Sequence, residues 1–411
     1  MSLIRPFPAL RPAPGRAAEV IAPPYDVLNT AEARAMAEGR PWSFLHISKP
    51  EIDLPADTDP YAPEVYAKAA ENLKRMIDAG VLKQDGQACY YAYRLIMGDH
   101  VQVGLVAAAS VADYDTNRIR KHEFTRPDKE DDRVRQIDAL NAQTGPVLLA
   151  YPSAPEVDSI LAAATQGEPD ADSVAPESGV RHTLWVIRDG ATLARLTELF
   201  DGMHALYIAD GHHRSASASR ICAARKAAGH AGDEAYNHFL SVIFPHHQMR
   251  ILDYNRVIKD LNGLSEAEFM VRVADNFMIE QVDEAVKPAH PGEFGMYLSG
   301  RWSRLTIRGD LIPQADPVGR LDVSLLQNNL ITPVLGINDP RRDKRIDFVG
   351  GIRGLAELEK RVDSGEMALA FSLHATRMED LMAVADANEV MPPKSTWFEP
   401  KLADGMASHM L

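Results

Sequence analysis

The chain has 411 residues, 45% hydrophobic, 25% charged and 7% aromatic, a composition that can bury a core and excludes a disordered chain. Acidic residues outnumber basic ones 58 to 44, a net charge of −14, so the summed field repels nucleic-acid backbones and anionic membrane surfaces. Cys89 and Cys222 supply neither a disulfide framework nor a four-thiolate metal site, the opening Met1-Ser2-Leu3-Ile4-Arg5-Pro6 lacks the apolar stretch of a signal peptide, and no run nears the roughly 20 apolar residues of a membrane span, so a cytoplasmic protein is expected.

The length suggests two or three domains. Residues 1–60 are punctuated by proline from Pro6 to Pro60, which removes backbone donors and predicts an extended wrapping arm. An α/β part over 61–165 follows. Val65, Ala69, Leu73, Met76 and Ile77 recur at helical spacing and stop at Gly80, predicting a helix with a glycine cap. Residues 89–96 and 101–111, rich in tyrosine and β-branched side chains and joined across Gly98-Asp99, predict a hairpin. A charged surface helix is expected over 128–143, a strand over 147–151 and an exposed polar loop over 166–180.

A second α/β part, 180–411, opens with a strand over 182–187 and a helix over 193–200. The apolar run Ala205-Leu206-Tyr207-Ile208 then stops at Ala209-Asp210-Gly211-His212-His213-Arg214 and passes into an alanine-rich helix to about residue 228. Beyond it come a strand at 239–244, a helix at 265–278, a hairpin at 295–298 and 304–307, and alternating strands and helices to about 387. Hairpins mixed with strand–turn–helix units predict a mixed α/β (α+β) fold with a mixed sheet.

The strand–turn–helix at 205–228 carries the chemistry. A helix N-terminus offers unpaired amides and partial positive charge to an anion, and Gly211 allows close approach. Ser215 and the Arg214 fork can add donors to phosphate oxygens, His212 or His213 can serve as acid or base, and Asp210 can hold magnesium. The plain alternative is an N-capping Asp210 with histidines paired to carbonyls. A second cluster, Arg120-Lys121-His122-Glu123 with Thr125, Arg126, Asp128 and Lys129, offers in Glu123 a carboxylate flanked by cations, suited to a hydroxyl-activating base or a magnesium ligand. A solvated charged loop is the competing reading. Lys394 and Ser395 could meet an anionic group with Trp397 and Phe398 as anchors, and Tyr25 and Asp26 could line the same cleft, or merely form a turn. Adjacent His246 and His247 could ligate a metal, but two neighbouring loop residues seldom supply a closed zinc site alone. No Gly-x-Ser-x-Gly elbow is present, which disfavours a serine hydrolase.

Asp210-Gly211-His212-His213-Arg214, together with Ala22-Pro23-Pro24-Tyr25-Asp26-Val27 and the segment from Met391 to Lys401, resembles the prokaryotic family called domain of unknown function 1015. The Gly-His-His-Arg turn is similar to the phosphate loop of the ParB and sulfiredoxin group, which includes free-serine kinases. That resemblance implies a ParB/sulfiredoxin-like phosphate-binding core, ATP or ADP as nucleotide, and a glutamate taking the substrate hydroxyl proton, a role that falls to Glu123. The reading is a phosphotransferase on a small metabolite, serine or phosphoserine first, with magnesium, His122 in the substrate cleft and Arg126 on the phosphate. The alternatives are a phosphatase using the same anion pocket and a non-catalytic nucleotide sensor. The expected partner is a phosphorylated small molecule or nucleotide, not nucleic acid or membrane, with an oligomer left open.

Overall fold

A computed structural model describes residues 2–229 and 231–411. The chain is mixed α+β and divides into two units, Met1–Met249 with Pro400–Leu411, and Arg250–Glu399. The boundary expected at 165–180 falls inside the first unit.

The first unit is built on a nine-stranded sheet. Its order is Ile119–Arg120, Leu206–Asp210, Val147–Tyr151, His238–Pro245, His100–Ser110, Tyr90–Met97, Arg181–Ile187 and Ala171–Val174, with Ile4–Arg5 pairing His100–Ser110 off this path. Leu206–Asp210 runs parallel to Ile119–Arg120 and antiparallel to Val147–Tyr151, which is itself parallel to His238–Pro245. The expected hairpin pairs Tyr91 with Val106 and Met97 with His100. Val147–Tyr151 and His238–Pro245 are buried along their whole length, as strands covered on both faces must be. Leu149, Ile208 and Ile243 share one core with Leu196 and Phe200 of helix Gly190–Asp201 and Ala218 and Ile221 of helix His212–Ala228. Each large side chain so buried stabilises the unit by roughly 1.5–3 kcal/mol.

Residues 1–60 are not an extended arm. They hold helices Ala17–Val20, Thr30–Ala37 and Leu45–Ser48, and Leu10, Val20, Ala33, Phe44 and Ile47 build a second core with Leu73 and Met76 of helix Pro63–Asp78. The prolines all fall outside these helices, where a missing N–H costs little. Asn29 and Glu32 close a capping box on Thr30–Ala37, a local signal strong enough to start a helix in a proline-rich stretch. The loop expected over 166–180 contains the edge strand Ala171–Val174, antiparallel to Arg181–Ile187 and fastened by Asp172 accepting from Arg181 and Thr183.

The second unit carries a six-stranded antiparallel sheet in the order Phe277–Val282, Arg301–Ile307, Glu293–Leu298, Leu369–Leu373, Tyr254–Ile258, Ile346–Gly350. Val257, Tyr297 and Trp302 pack there with Leu358 of helix Ala356–Asp363. Among the described residues no helix is long and apolar enough to cross a membrane.

Candidate functional site

The apolar strand Leu206–Asp210 ends at a bulge between Ile208 and Asp210, and Gly211 turns the chain into helix His212–Ala228 at φ +97°. A side chain is strained in that left-handed region. A Cβ at Gly211 would also stand 3.2 Å from Arg214 Nε and 3.3 Å from Val147 Cα. The first amide to return a helical bond is Ser215 N, to the Gly211 carbonyl at 3.0 Å. The amides of His212, His213 and Arg214 therefore have no carbonyl one turn earlier and carry the positive end of a 17-residue helix.

Arg214 folds back over this turn rather than reaching outward. Its side chain is 10% exposed, Nη1 donates to the Pro146 carbonyl, and Nη2 lies 3.6 Å from both Asp26 Oδ2 and Asp210 Oδ2. Room for the guanidinium depends on a second close approach, because a Cβ on Gly145 would meet Arg214 Cδ at 3.3 Å. Burial opposes its charge, but Asp210, Asp26, Tyr25 and Asp404 raise its pKa. Asp210 Oδ1 accepts from the Gly211 amide at 2.9 Å, and Oδ2 is 3.9 Å from Lys401 Nζ. Burial pushes the Asp210 carboxyl up, yet Lys401, Arg214, the Gly211 amide and His122 together hold it below the ordinary carboxylate range. With Oδ2 outside hydrogen-bond length of both cations and the side chain 39% exposed, Asp210 fits a hard, hydrated cation such as magnesium.

The segment carrying Glu123 lies against the start of the helix. The His122 amide donates to His212 Nε2 at 3.4 Å, and the two rings meet edge to face at 4.5 Å. Glu123 Oε2 is 3.8 Å from His212 Nδ1, and the Arg126 amide donates to His213 Nε2 at 3.1 Å. Burial, then His122 and His213, hold the His212 pKa well below its ordinary value, and burial takes His122 down to about 4 despite a bond to the Ile208 backbone. Both rings are neutral at pH 7. Because His212 Nε2 accepts from an amide, its single proton sits on Nδ1 and faces Glu123.

His122, Glu123 and His212 offer ligand atoms within 4.8 Å of one another. A metal on His212 Nδ1 would displace that proton and leave Nε2–H opposed to the His122 N–H. The hydrogen-bonding pattern thus suits a positioned carboxylate better than a metal cage.

Other expected residues divide. Tyr25 and Asp26 lie in the turn Tyr25–Val27, where Asp26 faces Arg214 and the Tyr25 ring sits 3.8 Å beneath the Arg133 guanidinium. Ser215, expected among the phosphate contacts, is fully buried. Its Oγ donates to the His212 carbonyl at 3.0 Å and approaches the Gly211 carbonyl at 3.4 Å. With its amide also bonded to Gly211, Ser215 braces the turn from inside. Lys394 and Ser395 belong to the second unit, where Lys394 O accepts from Arg256 and Ser395 Oγ donates to the Pro392 carbonyl.

Two residues of the tail were not foreseen here. Lys401 approaches Asp210, and Asp404, 2% exposed, pairs its backbone with Ala22, N to O at 2.9 Å and O to N at 3.2 Å. Burial pushes the Asp404 carboxyl up to about 7, aided by Asp26 and opposed by Arg214, Arg133 and the Tyr25 amide. The Ala22–Val27 motif and the chain end thus form one support beneath Arg214, a pairing that spacing along the sequence cannot signal.

The family described as protein of unknown function (DUF1015) matches residues 4–324. A search of curated proteins finds no significant match. Similar solved structures include a free serine kinase in complex with AMP, 16% identical, with 72% of this chain and 86% of that chain covered at a TM-score of 0.34. SbnI with a C-terminal truncation from Staphylococcus aureus is 12% identical, with 73% and 85% covered at 0.36. A conserved hypothetical protein from Pyrococcus furiosus is 16% identical, with 76% and 97% covered at 0.32.

Proposed function

The chain belongs to the DUF1015 family, and for this member we propose a phosphotransferase that moves a phosphoryl group between a nucleotide, ATP or ADP, and the hydroxyl of a small metabolite, with serine or phosphoserine the first candidate. The observation that carries the reading is the Glu123 carboxylate, 59% exposed and 3.8 Å from His212 Nδ1, at the mouth of a helix start that offers free amides. A glutamate so placed can accept the hydroxyl proton, and neutral His212, with its proton on Nδ1, stands 3.8 Å from it. The amides of His212 and His213 bind the phosphate, and Arg214 Nη2 supplies charge from behind the turn.

Charge balance supports magnesium. Glu123, Asp26 and Asp210 are 59%, 43% and 39% exposed at this mouth, whereas Arg214 and Lys401 are 10% and 27% exposed. A polyphosphate facing these carboxylates needs a divalent cation, and Asp210 Oδ2 is the group to hold it. Such an ion neutralises developing phosphate charge.

The test incubates the full chain with ATP, magnesium and serine, and in the reverse direction with ADP and phosphoserine, following phosphorus by NMR. Transfer that Glu123→Gln abolishes supports the reading. Phosphate release indifferent to nucleotide would replace it with a hydrolase.

A further inference from the structure

Phe124 is 77% exposed, the most exposed large apolar side chain among the described residues. Its neighbours fix where it stands. On one side the His122 amide donates to His212 Nε2 at 3.4 Å, and on the other the Arg126 amide donates to His213 Nε2 at 3.1 Å, so the segment is held at both ends against the first two helical residues while the ring between them faces outward. A second exposed apolar residue, Val27, 43% exposed, follows Asp26, which faces Arg214. Leaving a phenyl ring in water at a pinned position forgoes the stabilisation its burial would bring, a pattern expected where a ligand covers it.

We propose that Phe124 is the stacking platform for the base of the nucleotide whose phosphates occupy the Gly211 turn. This inference rests on the phosphate-binding reading above. A ligand that presents anionic oxygens to the helix start and a flat π face one residue beyond Glu123 is a nucleoside polyphosphate, not inorganic phosphate alone. A base stacks on an aromatic ring without needing a hydrogen-bond code, so the platform sets preference for nucleotide over bare polyphosphate and discriminates little among bases.

Calorimetric titration of the full chain with magnesium and ATP, ADP or tripolyphosphate tests this, comparing the natural chain with Phe124→Ala and Phe124→Trp. The natural chain is expected to bind ATP about tenfold to a hundredfold tighter than tripolyphosphate, the span of one base–aromatic stack. Phe124→Ala should abolish that preference and leave tripolyphosphate affinity unchanged, and Phe124→Trp should restore it. An ATP-to-tripolyphosphate ratio unaltered by Phe124→Ala would overturn the platform while leaving the anion site standing. Failure of the natural chain to bind tripolyphosphate at all would instead remove the phosphate reading, and the platform with it. The exposed ring contributes little to the core, so both variants should fold.

Discussion

Glu123 Oε2 stands 3.8 Å from His212 Nδ1 while His212 Nε2 takes the His122 amide. One backbone N–H therefore decides which histidine nitrogen is protonated, and that proton faces the carboxylate. Glu123→Gln keeps the shape and removes the base. Turnover should fall by roughly a hundredfold to ten-thousandfold, the usual weight of a general base, with nucleotide affinity changed less than about twofold. Parallel loss of affinity in a titration would show that Glu123 binds ligand rather than accepting a proton.

Gly211→Ala imposes a side chain at φ +97° and sets its Cβ 3.2 Å from Arg214 Nε. The strain is expected to cost about 1–3 kcal/mol of stability, read as a lower urea midpoint, and to push the guanidinium from its place against Pro146. Gly211→Ala should therefore lose phosphate affinity more steeply than its stability loss explains. A variant as stable and as tight-binding as the natural chain would show that the turn needs no glycine.

Ser215→Ala separates a brace from a ligand contact. The hydroxyl is fully buried and serves the His212 carbonyl, so its removal should cost about 1 kcal/mol in denaturant unfolding and leave nucleotide affinity within about twofold. A large loss of affinity with unchanged stability would put Ser215 back among the phosphate contacts.

The turn itself was legible because an apolar strand, a glycine and an alanine-rich helix each follow from local chemistry. The contact of Glu123 with His212 was not, since it joins residues on separate elements through the short parallel pairing of Ile119–Arg120 with Leu206–Asp210. Arg214 was expected to point at ligand; its inward fold depends on Gly145 and Pro146, which only the packed structure brings near. Similarly, Ala171–Val174 reads as polar loop because its strand state comes from pairing with Arg181–Ile187, not from any preference of its own.

Asp404 gives a pH-dependent prediction whose sign is fixed. Burial takes its carboxyl up to about 7 in the folded protein, against about 3.9 in an unfolded chain. Between those values the folded state retains a proton that the unfolded state has released, so Asp404 lowers stability progressively as pH rises from about 4 to about 7, with no further change above. Asp404→Asn cannot ionise. Its unfolding free energy relative to the natural chain should climb through that interval and then level, measured by urea denaturation at a series of pH values. Asp322 in the second unit, also raised by burial to about 7, is present in both proteins and drops out of the difference. Two pH profiles that run parallel from about pH 4 to about pH 8 would mean that Asp404 ionises normally, and that the support beneath Arg214 is wetter than its 2% exposure implies.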